Sequence, residues 1–254
     1  MKTEAAHFIR ASHIESGPLP GLDNEFYDID INGSSLLHFS VVDARSDPET
    51  AGICYERKLS CYARFGVAAA SVPFAENIGP GQLHLVVATE AASGEIVGGV
   101  SIYRRGQASR LPLESTIGSL DAMTSEIAAW QGRIVVELSG LWTEEVWRKT
   151  GLSERLMLIA FAAAHAMKVQ KIVGFGHHHV RDFYGTVGLV PDTKIGPLAY
   201  PSAEYSSSFL YGDPVGLATL PPEKRGMVVA YARAIVERAP MSWMGAERES
   251  SVRT

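Results

Sequence analysis

The sequence predicts an α/β domain in which a mixed β-sheet is flanked by helices. Apolar, β-rich runs and helical segments follow one another in the order β, α, β, β, β, α, β, α, β. The chain has 254 residues, of which 46% are hydrophobic and 20% are charged, so it can bury a substantial core. Residues 137–191 are the most informative segment, because an apolar strand, a loop, a long apolar helix and a second strand follow in direct succession.

The individual elements follow from periodicity and from start and stop signals. Strands are predicted at residues 36–42, 83–89, 96–104, 133–142 and 171–175, with at least one more within 198–210. Helices are predicted after Asp47-Pro48-Glu49, weakly over 120–130, and over 152–167, 180–187 and about 221–238. Three parts result: an extended or partly ordered arm (1–35), a central domain (36–213), and a C-terminal helix and tail packed on that domain (214–254).

Charge and hydropathy exclude several classes of protein. A net charge of −5 without a basic stripe argues against a nucleic-acid-binding protein. No apolar run reaches the roughly 18 residues that a membrane span needs, and the first residues lack the apolar segment of a secretory signal, so we expect a cytoplasmic protein. Cys54 and Cys61 are expected to be buried and reduced, with neither a zinc site nor a disulfide.

The loop after residue 142 has the features of a phosphate-binding turn. Arg148 lies three residues before Gly151, and an apolar helix follows. Glycine permits a tight backbone turn, and the first amides of a helix together with its dipole favour an anion. The guanidinium of Arg148 is suited to phosphate oxygens. The segment therefore predicts a pyrophosphate site.

Two segments resemble the GNAT superfamily of acyl-CoA N-acyltransferases. Thr143-Glu-Glu-Val-Trp-Arg-Lys-Thr-Gly-Leu-Ser153 is similar to the family's Arg/Gln-x-x-Gly-x-Gly/Ala loop, with Ser153 at the last small position. Asp182-Phe-Tyr-Gly-Thr-Val-Gly-Leu-Val-Pro191 is similar to its Phe-Tyr-x-x-x-Gly-Phe segment. The resemblance implies a central, mostly antiparallel sheet whose fourth and fifth strands splay, and acyl-CoA as co-substrate. The implied donor site comprises Leu141, Trp142, Thr143, Arg148, Lys149, Thr150, Gly151, Leu152 and Ser153.

Acyl transfer to an amine needs a proton acceptor for the amine and a proton donor for the thiolate. The resemblance places Glu137, near the end of its strand, as the base; its apolar neighbours Val136 and Leu138 favour a raised pKa. It places Tyr184 as the acid. Each residue also has a structural interpretation: Glu137 as the partner of a cation, and Tyr184 as a packing aromatic.

Glu137-Leu138-Ser139-Gly140 is also similar to the Glu-x-Ser-Arg strand of autoinducer synthases and related N-acyl amino acid synthases, with Gly140 in place of the arginine. Two alternatives to a small-molecule N-acyltransferase stay open. One is an N-acyl amino acid or autoinducer-type synthase that takes long acyl chains from an acyl carrier protein. The other is an inactive module that binds acyl-CoA.

The remaining candidates are less specific. One of His177, His178 and His179 is expected to face the cleft, but three consecutive histidines do not converge on one metal ion, so no metal is expected. Arg104, Arg105 and Arg110 are interpreted as a solvated charged face rather than a patch for an anionic partner. Tyr200 and Tyr205 fit either an acceptor pocket or the core. The arm and the last helix are expected either to pack on the domain or to contact a second copy of the chain. In the second case the protein would be a homodimer.

Overall fold

A computed structural model describes residues 26–31, 35–64, 81–106, 109–118, 121–199 and 206–238. Eight strands form one sheet: β1 (Phe26–Ile31), β2 (Ser35–Asp43), β3 (Leu83–Glu90), β4 (Ile96–Arg104), β5 (Val135–Thr143), β6 (Lys171–His177), β7 (Val190–Pro191) and β8 (Ser207–Gly212). The helices are α1 (Pro48–Ala63), α2 (Pro112–Ile117), α3 (Asp121–Ala128), α4 (Leu152–Ala166), α5 (Arg181–Thr186) and α6 (Pro222–Arg238). Short 3₁₀ turns occupy Glu145–Trp147 and His178–Val180.

The strand order β1-β2-β3-β4-β5-β6-β8-β7 is antiparallel at every pair except β5 and β6. These two strands pair in parallel only from Val135 with Lys171 to Leu138 with Gly174. Beyond that point β5 continues to Thr143 and β6 to His177. The predicted splaying of the fourth and fifth predicted strands is therefore confirmed, and these strands are β5 and β6.

A β-bulge in β5 begins two residues after this pairing ends. The register between β4 and β5 passes from Ser101 opposite Ser139 to Gly99 opposite Trp142, so β5 carries one extra residue. Gly140 lies in the extra stretch with φ +67°, a conformation that glycine adopts without strain. The bulge turns the next part of β5 relative to the sheet, beside the gap that opens between β5 and β6.

The two faces of the sheet carry different layers. On one face α4 packs against the sheet, and its segment from Leu156 to Ala164 is buried on all sides. That burial requires a second cover, which α6 provides through Val228 and Ile235. The opposite face is covered by α1, α2 and α3 through a separate buried cluster. Because side chains alternate along β5, Val136 and Leu138 face α4 and Val135 faces α1.

Helix α1 begins as its sequence predicts. The side chain of Asp47 accepts a hydrogen bond from the Thr50 amide, 3.0 Å, and Pro48 occupies the first turn, where no amide hydrogen is needed. Both cysteines, Cys54 and Cys61, are buried and reduced, as predicted. Among the described residues, none of the helices is both long and apolar enough to cross a membrane.

Three elements differ from the predictions. Strand β1 lies within the predicted arm and pairs with β2; in its sequence FYDIDI the apolar and acidic residues alternate from Tyr27 to Ile31, a strand signal that the prediction did not use. Helix α2 forms at the end of the segment 105–113, for which a polar connection was expected. The two-residue strand β7 is too short to leave a pattern in the sequence. The polar tail from residue 245 and residues 1–25 of the arm lie outside the described residues.

Candidate active site

The loop between β5 and α4 exposes the amide groups of a helix N-terminus. Gly151 precedes α4 with φ +89°. The first intrahelical hydrogen bond runs from the Arg155 amide to the Gly151 carbonyl, 3.1 Å, so the amides of Ser153 and Glu154 come before it. The Leu152 amide is held by the Thr150 hydroxyl, which itself donates to the Trp147 carbonyl at 2.7 Å. This backbone presents donors and the positive end of the helix dipole at one place.

Arg148 lies in this loop between buried and exposed neighbours. Trp147 anchors the loop in the core, whereas Lys149 is exposed and has φ +63°. The Arg148 side chain is half-buried, and its Nη2 atom is shielded from solvent. Of the other residues predicted to bind the donor, Trp142, Thr143 and Leu152 are buried, so they offer backbone atoms to a ligand more readily than side chains.

Two tyrosines border the gap between β5 and β6 beyond Leu138 and Gly174, which we call the β5–β6 cleft. The Tyr62 hydroxyl of α1 donates to the Leu141 carbonyl at 3.3 Å. The Tyr184 ring of α5 packs on Gly176 of β6. Burial raises the pKa of both phenols, and the Tyr184 hydroxyl raises the pKa of Tyr62 further. Two hydroxyl groups thus approach the cleft from separate helices.

Glu137 is buried on the α1 face of β5. The prediction that it lies near the strand end is wrong, since β5 continues to Thr143; it lies one residue before the parallel pairing ends. Its Oε2 accepts a hydrogen bond from the Leu113 amide at 2.9 Å, at the start of α2. Burial raises its pKa to about 8, although the hydrogen bonds from Leu113 and Ser139 oppose the shift. A carboxyl that exchanges its proton near neutral pH is suited to general-base catalysis.

Lys58 is a buried cation on the same face, and sequence analysis did not identify it as a site residue. Its side chain is 4% exposed, and burial lowers its pKa to about 8. The ammonium lies over the Tyr55 ring, 5.1 Å from the centroid. A Cβ built on Gly140 would lie 3.0 Å from Lys58 Cδ, so the lysine side chain runs alongside the bulge. No local motif marks it, because it occupies one turn of an ordinary amphipathic helix.

The three histidines do not meet at one point. His177, half-buried at the end of β6, has Nδ1 2.7 Å from the Ser207 hydroxyl, and burial together with His179 lowers its pKa. His178 and His179 are exposed, and the rings of His177 and His179 stack at 5.6 Å. In the described parts of the chain no three His, Cys, Asp or Glu side chains are grouped as metal ligands would be.

The arginine patch is not a uniform charged face. Arg105 forms a two-pronged ion pair with the buried carboxylate of Glu114, with Nε–Oε1 2.9 Å and Nη2–Oε2 3.3 Å. The expectation of a solvated side chain is therefore wrong for Arg105, whose charge is used to hold α2, while Arg110 is exposed as expected. Tyr200 and Tyr205 lie outside the described residues.

Two solved structures share this architecture. The chain is similar to FeeM, an N-acyl amino acid synthase from uncultured soil microbes, with 15% identity over 79% of this chain and 99% of that one and a TM-score of 0.51. It is also similar to BjaI, a CoA-dependent acyl-homoserine lactone synthase, with 11% identity over 76% of this chain and 88% of that one and a TM-score of 0.50. The chain has the GNAT fold.

The GNAT fold was expected from two short motifs, and the structure places both at the cleft. No protein-family model matches the sequence. No curated protein matches it either. The likeness is therefore one of fold, and the chemistry of the site has to be argued from its own residues.

Proposed function

We propose that the protein is an N-acyltransferase that moves an acyl group from acyl-CoA to an amine by direct attack. The observation that carries this proposal is the position of the β5–β6 cleft. It opens directly beside the bulge in β5 and leads to the N-terminus of α4, so that a thioester and a diphosphate of one ligand have adjacent places. Structural similarity to acyltransferases supports the same function.

The donor site in this proposal consists of the loop and the free edge of β5. Arg148 and Lys149 contribute positive charge, and the turn Thr150-Gly151-Leu152-Ser153 contributes amides and the helix dipole for the diphosphate. Leu141, Trp142 and Thr143, which lie on β5 beyond its pairing with β6, offer backbone groups to the pantetheine arm. The turn leaves space for a ligand beside Gly151, since nothing lies within 4 Å of a Cβ built on this residue.

The reaction needs two proton transfers. The amine nitrogen attacks the thioester carbon, the new C–N bond forms, and the C–S bond breaks as the tetrahedral intermediate collapses. Glu137, through a water because its carboxyl is buried, receives the amine proton. Burial raises the pKa of Tyr184, so its phenol stays protonated until the C–S bond breaks and can then give its proton to the departing thiolate. Orientation of the two reactants in the cleft supplies the largest part of the acceleration.

A second candidate is an N-acyl amino acid or autoinducer-type synthase that takes a long acyl chain from a carrier protein. The Glu137-Leu138-Ser139 sequence and the similarity to FeeM, an N-acyl amino acid synthase, favour it, whereas BjaI is a CoA-dependent synthase and does not favour a carrier protein as donor. An inactive acyl-CoA-binding module would have the same fold and the same loop, but no turnover. Location in the cytoplasm and a homodimer stay predictions.

Release of the donor thiol distinguishes these functions. We would incubate the protein with acetyl-, octanoyl- and palmitoyl-CoA, or with the same acyl chains on a carrier protein, and a panel of amines. Amine-dependent thiol release from CoA esters supports the proposed function. Release only from the carrier protein supports the second candidate. Binding that stabilises the protein without thiol release from any donor would identify an inactive module.

A further inference from the structure

Lys58 is out of place as a structural residue. It lies on α1 next to Arg57, with 4% of its surface exposed. Arg57 of the same helix and Arg64, which directly follows that helix, both form ion pairs with Glu144, at 3.6 and 3.3 Å. Lys58 has no ion pair with any carboxylate of the described residues. Burying a charge without a counter-ion is costly, and groups of this kind cluster at functional sites.

The ammonium of Lys58 lies beside the position that a side chain at residue 140 would occupy. A Cβ on Gly140 would lie 3.5 Å from the Lys58 Nζ. In the Glu-x-Ser-Arg strand that residues 137–140 resemble, this position carries an arginine. In this chain a cation at the same place therefore comes from α1 rather than from β5, and Gly140 leaves the space that Lys58 needs.

A small cavity adjoins the lysine. Its volume is about 20 Å³, and its polar lining comes from Lys58, Ser101, Tyr55 and Tyr103. A space of that size holds about one water-sized polar group, and it is far too small for an acyl chain. The cation and hydroxyl groups around it match the oxygen of an anion.

The cavity lies on the α1 face of the sheet, over β3 and β4 and beside Trp142 of β5. The α4 face of β5 is filled by Leu138, Leu141 and the buried side chains of α4. The α1 face carries Glu137, Lys58 and Tyr62 beside the cleft. An amine that reaches the thioester from this face passes the ammonium of Lys58.

We propose that Lys58 binds the carboxylate of the acceptor, and that the acceptor is an amino acid or a similar amino carboxylate. This inference rests on the proposed acyl transfer to an amine. It gives the buried cation its missing counter-ion in the complex and holds the amine end of the acceptor toward the cleft. Lys58 would then determine specificity, while the proton transfers stay with other residues.

Paired acceptors test the proposal. L-leucine would be compared with 3-methylbutylamine, and L-phenylalanine with 2-phenylethylamine, with wild type, Lys58→Met and Lys58→Arg. The ratio of kcat/KM between the members of a pair, compared across variants, cancels their different basicity. We expect Lys58→Met to lower kcat/KM at least about 10-fold for the amino acids, mainly through KM, and to leave the simple amines nearly unchanged. Lys58→Arg should restore part of the preference, because it keeps the charge.

Other outcomes would overturn the proposal. An equal loss for both members of a pair would place Lys58 in the chemistry or the fold. Turnover with the simple amines but not with any amino acid would reject a carboxylate site and leave the proposed acyl transfer intact. The wild-type protein offers a test that needs no variant: with CoA present, the amino acid should raise the melting temperature and its decarboxylated partner should not. Equal shifts would contradict the proposal, and absence of thiol release with every acceptor would reject the proposed function itself.

Discussion

The ring of Tyr184 lies directly on Gly176, at the point where β6 has left β5. A Cβ built on Gly176 would be 2.5 Å from Cε2 and 2.8 Å from Cδ2 of Tyr184, closer than non-bonded carbon atoms approach. The absence of a side chain at residue 176 therefore sets the position of the phenol at the edge of the cleft. Leu210 closes the same space from β8, with its Cδ1 2.9 Å from that Cβ.

Gly176→Ala should displace Tyr184 and lower turnover strongly while donor binding is retained. The added methyl group collides with the ring and with Leu210, whereas the diphosphate loop lies on a different element. Thiol release and the melting-temperature shift with acyl-CoA would measure the two effects. Gly185→Ala in α5 is the matched control, since nothing lies within 4 Å of a Cβ there. Equal activity of the two variants would show that the ring position does not matter.

Tyr184→Phe should lower kcat about 10²- to 10⁴-fold with little change in donor affinity, because only the proton donor is lost. The ring would stay on Gly176, so the fold should be unaffected. Tyr62→Phe provides the comparison: the Tyr62 hydroxyl already donates to the Leu141 carbonyl and is not free to protonate sulfur, so its removal should cost less. Retention of wild-type turnover by Tyr184→Phe would exclude the phenol as the acid.

Arg148→Ala should reduce the melting-temperature shift caused by CoA, acetyl-CoA and palmitoyl-CoA alike. The three ligands share the diphosphate, and a ligand at about 100 times its dissociation constant adds roughly 2.7 kcal/mol of stability. Val146→Ala is the control within the same loop, because Val146 is 83% exposed and its truncation should leave all three shifts unchanged. If Arg148→Ala shows the same melting-temperature shift as wild type, Arg148 is not part of the donor site.

The loop and the two central strands were predictable because their signals are local. The apolar run of β5, the glycine before α4 and the length of α4 all occur within one short stretch of sequence, and the structure confirms these elements. The same holds for the start of α1 at Asp47 and Pro48.

The α1 face of the site was not predictable, because its contacts join distant parts of the chain. Lys58 contacts Gly140 and Tyr62 contacts Leu141 only after α1 has packed on the sheet. The Leu113 amide finds Glu137 only because α2 forms where a polar loop was expected. Nothing in the sequence around residues 58 and 62 separates a residue that faces the site from one that faces the core.

Glu137→Gln should remove the pH dependence that the Glu137 carboxyl imposes on activity. With a pKa of about 8, Glu137 is largely protonated at pH 6, so the wild-type kcat/KM should rise with pH and level off above about 8. The glutamine keeps an oxygen that can accept the hydrogen bond from the Leu113 amide, but it cannot accept a proton. We expect turnover to fall at least about 100-fold. The rise of kcat/KM with pH up to about pH 8 should disappear. If Glu137→Gln keeps the wild-type rate and the wild-type rise of kcat/KM with pH, another group is the base.

Lys58→Met should raise the free energy of unfolding at neutral pH, because it removes a buried cation that has no ion pair in the described structure. Burial lowers the pKa of Lys58 from 10.5 to about 8, a difference equivalent to about 3 kcal/mol in favour of the neutral form. The unfolded chain therefore holds a proton that the folded protein loses between pH 8 and 10.5. The burial of Lys58 therefore lowers the free energy of unfolding of wild type by its full amount below about pH 8, and this loss disappears as the pH approaches 10.5.

Denaturant unfolding of both proteins from pH 7 to pH 10.5 would measure this difference, which should shrink steadily as the pH rises. Arg57→Met is the matched control on the same helix: its guanidinium is partly exposed and paired with Glu144, so its substitution should give no comparable gain. Lys58→Met that is less stable than wild type at pH 7 would mean that the ammonium is stabilised in the free protein. In that case Lys58 would contribute to folding. It would not be a residue that lowers stability in order to bind an anion.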